Sequence, residues 1–347
     1  RFSEKVSLGG YFAYGFKDKN WKYGGDLSYR PFTNTDLQFK ASYSNDVLKR
    51  GGLNYDLLKS SAISTESYRN FYIYQMDLRE QIKFETQFSA FQSWQFNFFG
   101  QHNWISSGDD YRFRSLVNES TALLYNAFQQ TEVGVETRFA YGEKFVELFG
   151  MKISSGTAYP VVHFKFTRGL SSDESAFEYN KMETRISKLF VIRNAGELNV
   201  QLHGGYMDAS APLLFNYTPT GVNRGFALSV ENTFETARPN EFFHNRFASV
   251  FIRHNFKKLL YKGEKFQPEF VLHSAFGIGD MMNRENHLNI NFNEMNKLFM
   301  ESGLIVNDLF KMAFISYGAG VFYRYGHYAS HDELDNFYFK VAMRVGF

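Results

Sequence analysis

The chain has 347 residues, 19% of them aromatic, and its 38 basic and 36 acidic residues nearly cancel to a net charge of +2. No basic block of the kind that tracks phosphates is present, so we expect no nucleic-acid partner. Cysteine is absent, which excludes disulfides, thiolate metal sites and cysteine nucleophiles. The mean hydropathy is −0.37, and no run approaches the roughly 18 apolar residues of a transmembrane helix.

Apolar and polar residues alternate with a period of two from one end of the chain to the other, as strands with two different faces require. In "WKYGGDLSYR" at 21–30, Trp21 and Tyr23 share one face, whereas Lys22 and Asp26 share the other. The stretch "EKFVELFGMKISSG" at 143–156 is compatible with one more hairpin. The predicted strands begin near residues 3, 21, 37, 80, 94, 129, 159, 177, 197, 243, 266, 298, 312 and 336.

The connections between these strands differ in length. Tight links such as "TNTD" and "RNAG" alternate with long links near 49–78, 107–128, 207–240 and 281–297. Short periplasmic turns and long external loops are typical of outer-membrane barrels, so we expect the four long links to be external loops. We therefore predict one all-β domain over 1–347, a transmembrane antiparallel up-and-down β-barrel of about 14 strands, with about 16 as the alternative. The competing fold is a soluble β-sandwich, whose apolar face would pack on a second sheet.

The two faces of the strands suit a membrane barrel better than a sandwich. Tyr and Trp cluster on the apolar face near strand ends, as an aromatic girdle requires. The polar face carries charges in strand after strand, which suits a lumen. The predicted lumen charges are Lys22, Arg30, Lys40, Lys83, Glu85, Glu132, Glu136, Arg138, Lys340 and Arg344.

Several stretches resemble one known family, among them "FAYGFKDKNWKYGGDLSY" at 12–29, "YPVVHFKFTRGL" at 159–170 and "EFFHNRFASVFIRHNF" at 241–256. The family consists of outer-membrane β-barrels of unknown function, largely from Bacteroidota. Its members usually carry an N-terminal carboxypeptidase-regulatory-like domain, which we expect to be absent from this chain. The family's acidic residue before the Arg of the third stretch is Asn245 in this chain. The resemblance implies an integral protein of the Gram-negative outer membrane.

Two segments invite functional hypotheses. The link at 207–240 is too apolar for a freely solvated loop, which predicts either a lumen plug or a partner-docking surface. Its apolar residues are Leu213, Leu214, Phe215, Tyr217, Phe226 and Leu228. The C-terminal strand alternates and ends on an aromatic residue, resembling a barrel-assembly signal formed by Phe339, Val341, Met343, Val345 and Phe347.

No pattern points to catalysis or a cofactor. Glu132 and Glu136, four residues apart on one strand, would be about 13 Å apart, too far to share a proton. The histidines and carboxylates of "GHYASHDELDN" at 326–336 match no established metal loop. No nucleophile-elbow, zinc-protease or phosphate-loop motif occurs. We predict no enzymatic activity, no metal and no cofactor.

The functional prediction is a non-enzymatic barrel that serves as an accessory or scaffold subunit of a multiprotein outer-membrane complex, in protein or lipoprotein assembly or export. Its partners would be other envelope proteins in a hetero-complex, in a membrane of lipid and lipopolysaccharide. Both chain ends would face the periplasm, since an even number of strands returns to the starting side. The alternative is a passive or gated pore for small solutes, with a cationic lumen.

Overall fold

The structure of the protein is a computed structural model that describes residues 5–16, 18–58, 68–69, 72, 75–118, 121–148, 151–171, 176–224, 227–261, 263 and 266–345. Fourteen strands form its main sheet: β1 (Val6–Gly15), β2 (Asn20–Tyr29), β3 (Gln38–Lys49), β4 (Met76–Ala90), β5 (Trp94–Ser106), β8 (Ala127–Ala140), β11 (Val161–Leu170), β12 (Tyr179–Ile192), β13 (Gly196–Met207), β14 (Arg246–Asn255), β15 (Glu269–Asp280), β17 (Phe299–Met312), β18 (Ile315–Gly326) and β19 (Phe337–Val345). Five shorter strands lie in the links: β6 (Arg112–Asn118), β7 (Thr121–Tyr125), β9 (Lys144–Leu148), β10 (Met151–Gly156) and β16 (His287–Leu288).

Each of the fourteen strands pairs with its nearest main-sheet neighbour in the chain, and every pairing is antiparallel. This order confirms the predicted all-β, up-and-down fold with about 14 strands. The short strands lie in three of the links: β16, β6 and β7 form a three-stranded sheet, and β9 pairs with β10 as a hairpin.

The sheet is curled rather than flat. Glu235 lies 3.0 Å from the ammonium of Lys340 on β19 and 3.8 Å from the guanidinium of Arg253 on β14. Four strand spacings separate β14 from β19 in the sheet, which would be about 19 Å if the sheet were flat. Inward side chains from both strands therefore meet because the sheet bends into a barrel wall.

The faces of the wall are inverted relative to a soluble protein. Phe84 on β4 is 61% exposed and Phe339 on β19 is 75% exposed, whereas Glu136 on β8 and Glu301 on β17 are fully buried. Aromatic and aliphatic side chains lie outward and charged side chains lie inward, as in a barrel whose outer face contacts lipid. The fold is thus a transmembrane β-barrel.

The two ends of the barrel differ. We name the end with links 50–75, 107–126, 208–245 and 281–298 the loop end, and the end with links 91–93, 193–195 and 313–314 the turn end. The hairpin β9–β10 lies in a longer link at the turn end. At the loop end a buried apolar cluster that includes Tyr111, Phe113, Leu213 and Phe292 joins three of the long links.

Among the described residues, no helix is long and apolar enough to cross a membrane.

Candidate functional site in the barrel lumen

Two links turn back from the loop end into the barrel. We call residues 50–58 the first inserted segment and residues 208–245 the second inserted segment. Both are bound to inward side chains of the wall, so the lumen is occupied by the protein's own chain.

A buried carboxylate holds the first inserted segment. Glu136 on β8 accepts hydrogen bonds from the backbone amides of Asp56 and Leu57, each at 2.8 Å. The Asp56 carboxylate in turn lies 2.9 Å from the Lys83 ammonium and 3.4 Å from the Lys165 ammonium. Because Lys83 is on β4 and Lys165 is on β11, this segment connects well-separated parts of the wall.

The same arrangement holds the second inserted segment. Glu301 on β17 accepts the backbone amides of Glu235 at 2.7 Å and Thr236 at 2.9 Å. His273 on β15 lies 3.1 Å from the same carboxylate, and both side chains are fully enclosed. A carboxylate that accepts two successive amides fixes the segment in register, since charge-assisted hydrogen bonds are strong in a low-dielectric interior.

The Glu235 carboxylate of the second inserted segment itself binds several groups. Its carboxylate accepts the Ser229 hydroxyl at 2.6 Å and the Val230 amide at 3.0 Å, besides the Lys340 ammonium at 3.0 Å. Arg324 on β18 adds an ion pair of 3.1 Å to Glu241. Side chains of β14, β17, β18 and β19 therefore all contribute to binding this segment.

Glycines of the wall make room for rings of the second inserted segment. A Cβ at Gly205 on β13 would lie 2.7 Å from the Tyr217 ring, and a Cβ at Gly277 on β15 would lie 2.7 Å from the Phe234 ring. Both rings are fully buried. Any larger residue at either glycine would displace the ring, so the wall and the segment are complementary in shape.

The second inserted segment also reaches the sheet edge. Leu228 forms a parallel bridge with Val341 on β19: the Ser229 amide donates to the Val341 carbonyl at 2.8 Å, and the Val341 amide donates to the Ala227 carbonyl at 2.6 Å. The Tyr72 hydroxyl donates to the Leu228 carbonyl at 2.8 Å. No ladder joins β1 to β19 within the described ranges, so this segment covers part of the edge that β19 presents.

At the loop end, Asn245 ties the second inserted segment to its neighbours. Its amide nitrogen donates to the Ala209 carbonyl at 3.0 Å and to the Asn216 side chain at 3.1 Å, while its oxygen accepts the Met282 amide at 2.6 Å. An aspartate could not donate to the first two groups. An asparagine at this position thus fits the local contacts.

The adjacent His244 is buried between Phe242 and Phe247, and neither ring nitrogen has a hydrogen-bond partner. Burial lowers the pKa of His244 to about 3, against the opposing effect of Asp280. The imidazole is therefore neutral at physiological pH.

The structure places most predicted lumen charges on the inner wall and pairs them. Lys83 contacts Glu85 at 3.0 Å, Glu132 accepts the Tyr179 hydroxyl at 2.6 Å, and Lys40 is opposite Glu85 in the β3–β4 register. The remaining pairs are Lys22 with Asp18, Arg138 with Glu143, Lys340 with Glu235, and Arg344 with Asp308 and Glu269. Arg30 lies just beyond β2, is exposed, and donates to the Gln38 side chain.

The residues predicted as plug or docking loop lie inside the barrel or under the loop-end links. Leu213 and Tyr217 are fully buried, Leu214 and Phe215 are 8% and 6% exposed, and Leu228 is half-buried at the β19 edge. Phe226 lies outside the described residues.

Of the predicted assembly signal, Phe339 and Val341 face outward and are exposed. Met343 instead packs against the cluster that contains Tyr72, Val222 and Leu228. The side chain of Val345 and the whole of Phe347 lie outside the described residues.

Sequence reasoning missed the groups that hold the second segment, namely Glu301, Glu235 and Arg324, and it missed Asp56 and Lys165 of the first. Glu301 and Lys165 share the inward parity of their strands, so alternation could have identified them. The lysines that pair with Asp56 and Glu235 lie about 30 to more than 100 residues away in the chain and leave no local signal.

In the part of the chain that the structure describes, no three His, Asp or Glu side chains are grouped to hold a metal ion.

The wall, its exposed apolar face and the inserted segments define a class: a transmembrane β-barrel whose lumen is filled by its own links. The profile described as "Family of unknown function (DUF5686) C-terminal domain" matches residues 2–263, and the chain belongs to this family. No curated protein matches the sequence.

Solved structures with a similar fold include CdiB from Acinetobacter baumannii, with 12% identity, a TM-score of 0.47, and coverage of 98% of this chain and 53% of that chain. BamA from Haemophilus ducreyi lacking POTRA domains 1–3 has 9% identity, a TM-score of 0.49, and coverage of 98% and 70%. The outer membrane protein OprD from Pseudomonas aeruginosa has 12% identity, a TM-score of 0.32, and coverage of 98% and 92%. This chain thus spans about half the length of CdiB, and at such identities the similarities carry no inference about activity.

Proposed function

We propose that the protein is an integral outer-membrane barrel closed by its own links, and that it acts as a non-enzymatic accessory or scaffold subunit of a multiprotein envelope complex. The observation that carries the proposal is the filled lumen: Glu136 and Glu301 hold two inserted segments against opposite parts of the wall. A passive pore needs a continuous water path, which these segments obstruct. The alternative is a gated pore, in which the second inserted segment would move.

Exposed apolar residues at the turn end support the proposal that the barrel binds other envelope proteins. On β12, Val191 is 77% exposed although it shares the inward parity of Glu183 and Arg185. In the β17–β18 turn, Phe314 is 62% exposed. Lipid contact accounts for exposed apolar groups on the outward face of the strands alone, so we take Val191 and Phe314, here called the apolar rim, as a contact surface for another envelope protein.

In the proposed orientation, the turn end faces the periplasm. Because the fourteen strands alternate in direction, the start of β1 and the end of β19 lie at this same end. Both would then be periplasmic, as would the apolar rim.

Co-purification tests this function. The affinity-tagged protein, extracted in mild detergent from its native envelope, should retain other envelope proteins at fixed stoichiometry. The double variant Val191→Asp and Phe314→Asp should lose them while remaining folded, because two charges in an apolar contact are costly to desolvate. Leu334→Asp is the matched control, since Leu334 is 78% exposed at the loop end. Recovery of a single species from native membranes would contradict the scaffold role.

A further inference from the structure

A cavity of about 230 Å³ lies inside the barrel at the turn end, where Glu197 and Asn255, near the turn-end tips of β13 and β14, belong to its lining. The other lining residues come from β12, β15, β17, β19, the β14–β15 link and the second inserted segment. Leu189 on β12 is one of them, two residues before Val191 on the same inward face of the strand. This cavity, which we name the turn-end cavity, therefore adjoins the apolar rim and lies on the periplasmic side in the proposed orientation.

Part of the lining is aliphatic. Val271 on β15, Ile305 on β17 and Ala342 on β19 belong to one buried cluster and are at most 6% exposed. Leu189 adds an aliphatic side chain that is 47% exposed. Because covering exposed apolar surface is favourable, this part of the lining favours a ligand that carries an aliphatic group.

Two carboxamides supply a second, independent observation. Asn199 on β13 and Asn307 on β17 line the turn-end cavity, and neither side chain has a hydrogen-bond partner among the described residues. Asn307 is nevertheless only 8% exposed. The neighbouring Asn255, by contrast, donates to the Glu269 carboxylate at 2.8 Å. Buried side-chain amides are nearly always hydrogen-bonded, so Asn307 indicates a ligand with polar groups of its own.

The charged groups of the lining are paired with one another. Lys257 lies 2.9 Å from the Glu197 carboxylate, and Arg253 lies 3.4 Å from the Glu231 carboxylate. An uncharged ligand would leave both ion pairs intact. A carboxamide offers two donors and one acceptor, so it can pair with the N–H and C=O groups of a peptide.

We propose that the turn-end cavity binds an extended, uncharged peptide segment with an aliphatic side chain, which the envelope partner presents. Asn199 and Asn307 bind the peptide groups, while Leu189 and Val271 contact the side chain. A saccharide offers donors and acceptors but no aliphatic side chain for these contacts. The volume is below that of a drug-sized site, so only a short part of the partner chain enters. This inference rests on the scaffold role, for which it names the bound element.

Isothermal titration calorimetry of the full chain in a non-ionic detergent tests the site, with acetyl-Ala-Leu-Ala-amide as the probe and detergent alone as the blank. Acetyl-Ala-Asn-Ala-amide is the matched probe, because its central side chain is polar and of similar size. Chitobiose represents the saccharides. We expect saturable binding of the leucine peptide, about fivefold or more tighter than binding of the asparagine peptide. Tighter binding of chitobiose, or no saturable binding of the leucine peptide at millimolar concentrations, would overturn the proposal.

Two variants of nearly unchanged side-chain size test the carboxamides. Asn307→Leu and Asn199→Leu each remove the polar groups, and leucine is compatible with the aliphatic lining, so the barrel should still fold. Each should weaken binding of the leucine peptide about fivefold, the value of one hydrogen bond. Asn34→Leu, in the exposed link between β2 and β3 outside the cavity, is the control and should bind as the wild type does.

The titration needs no partner protein, so its outcome is separate from that of the co-purification. Equal affinity for the leucine peptide in all three variants would overturn the peptide site even where envelope proteins co-purify. An affinity that falls in Asn307→Leu and Asn199→Leu alone would support the site even where a single species is recovered.

Discussion

Buried carboxylates are the residues that fix the inserted segments. Glu136 and Glu301 each accept hydrogen bonds from two successive backbone amides of an inserted segment. Removing Glu301 would leave two amides, the Thr236 hydroxyl and His273 without an acceptor. Each such orphaned group costs about 1–3 kcal/mol. This free-energy cost weakens the binding of the second inserted segment to the wall. It leaves the strand pairing intact, because the strand ladders do not involve the Glu301 side chain.

The burial of His244 predicts how the free energy of unfolding depends on pH. Its pKa is about 3 when folded and near 6.5 when unfolded, so between these values the unfolded chain binds a proton that the folded chain does not. The contribution of this group to the free energy of unfolding therefore falls as the pH decreases from about 6.5 towards about 3. His244→Phe fills the same apolar site without a titrating group, and it should be less acid-sensitive than the wild type.

Urea unfolding in lipid vesicles at several pH values between about 6.5 and 4 measures this difference. His331→Gln, which alters an exposed histidine of the loop end, is the control and should leave the pH dependence unchanged. An identical pH slope for His244→Phe and the wild type would contradict the burial of a neutral imidazole.

Among the elements, β19 has a special position because its free side pairs with the second inserted segment rather than with β1. The bridge between Leu228 and Val341 involves two backbone hydrogen bonds. Tyr72 adds contacts from the link between β3 and β4. A sheet edge that is covered in this way is protected from pairing with other chains.

A disulfide can test that pairing directly. The natural chain has no cysteine, so Leu228→Cys combined with Val341→Cys introduces only the intended pair. Bridge partners lie within the Cα separation that a disulfide tolerates, so oxidation should cross-link the two positions in the folded barrel. Thiol titration and electrophoretic mobility under non-reducing conditions detect the bond. The single-cysteine variants are the controls, and two free thiols in a folded, oxidised double variant would show that the segment lies elsewhere.

For the whole molecule, the sequence predicted the strands of the barrel wall far better than the segments that fill the lumen. The period-two pattern placed β5 at 94 and β19 within one residue of its start, because alternation reports which face of a strand is solvated or lipid-exposed. The apolar character of 207–240 singled out the second inserted segment. The first was not distinguished, since "GGLNYDLL" at 51–58 resembles an ordinary loop. The lumen contacts join residues such as Asp56 and Lys165, whose proximity depends on the finished barrel and has no local pattern.

Planar-bilayer recording of the purified barrel measures whether the protein's own links close the lumen. The wild type should be electrically silent. Gly277→Val, which collides with Phe234, and Glu301→Ala, which releases the Glu235 and Thr236 amides, should each produce fluctuating current as the second segment leaves its seat. Gly100→Ala is the matched control, because a Cβ at Gly100 meets no atom closer than 4.0 Å. Steady current through the wild type, at the level of the two variants, would show that the lumen is open despite the inserted segments.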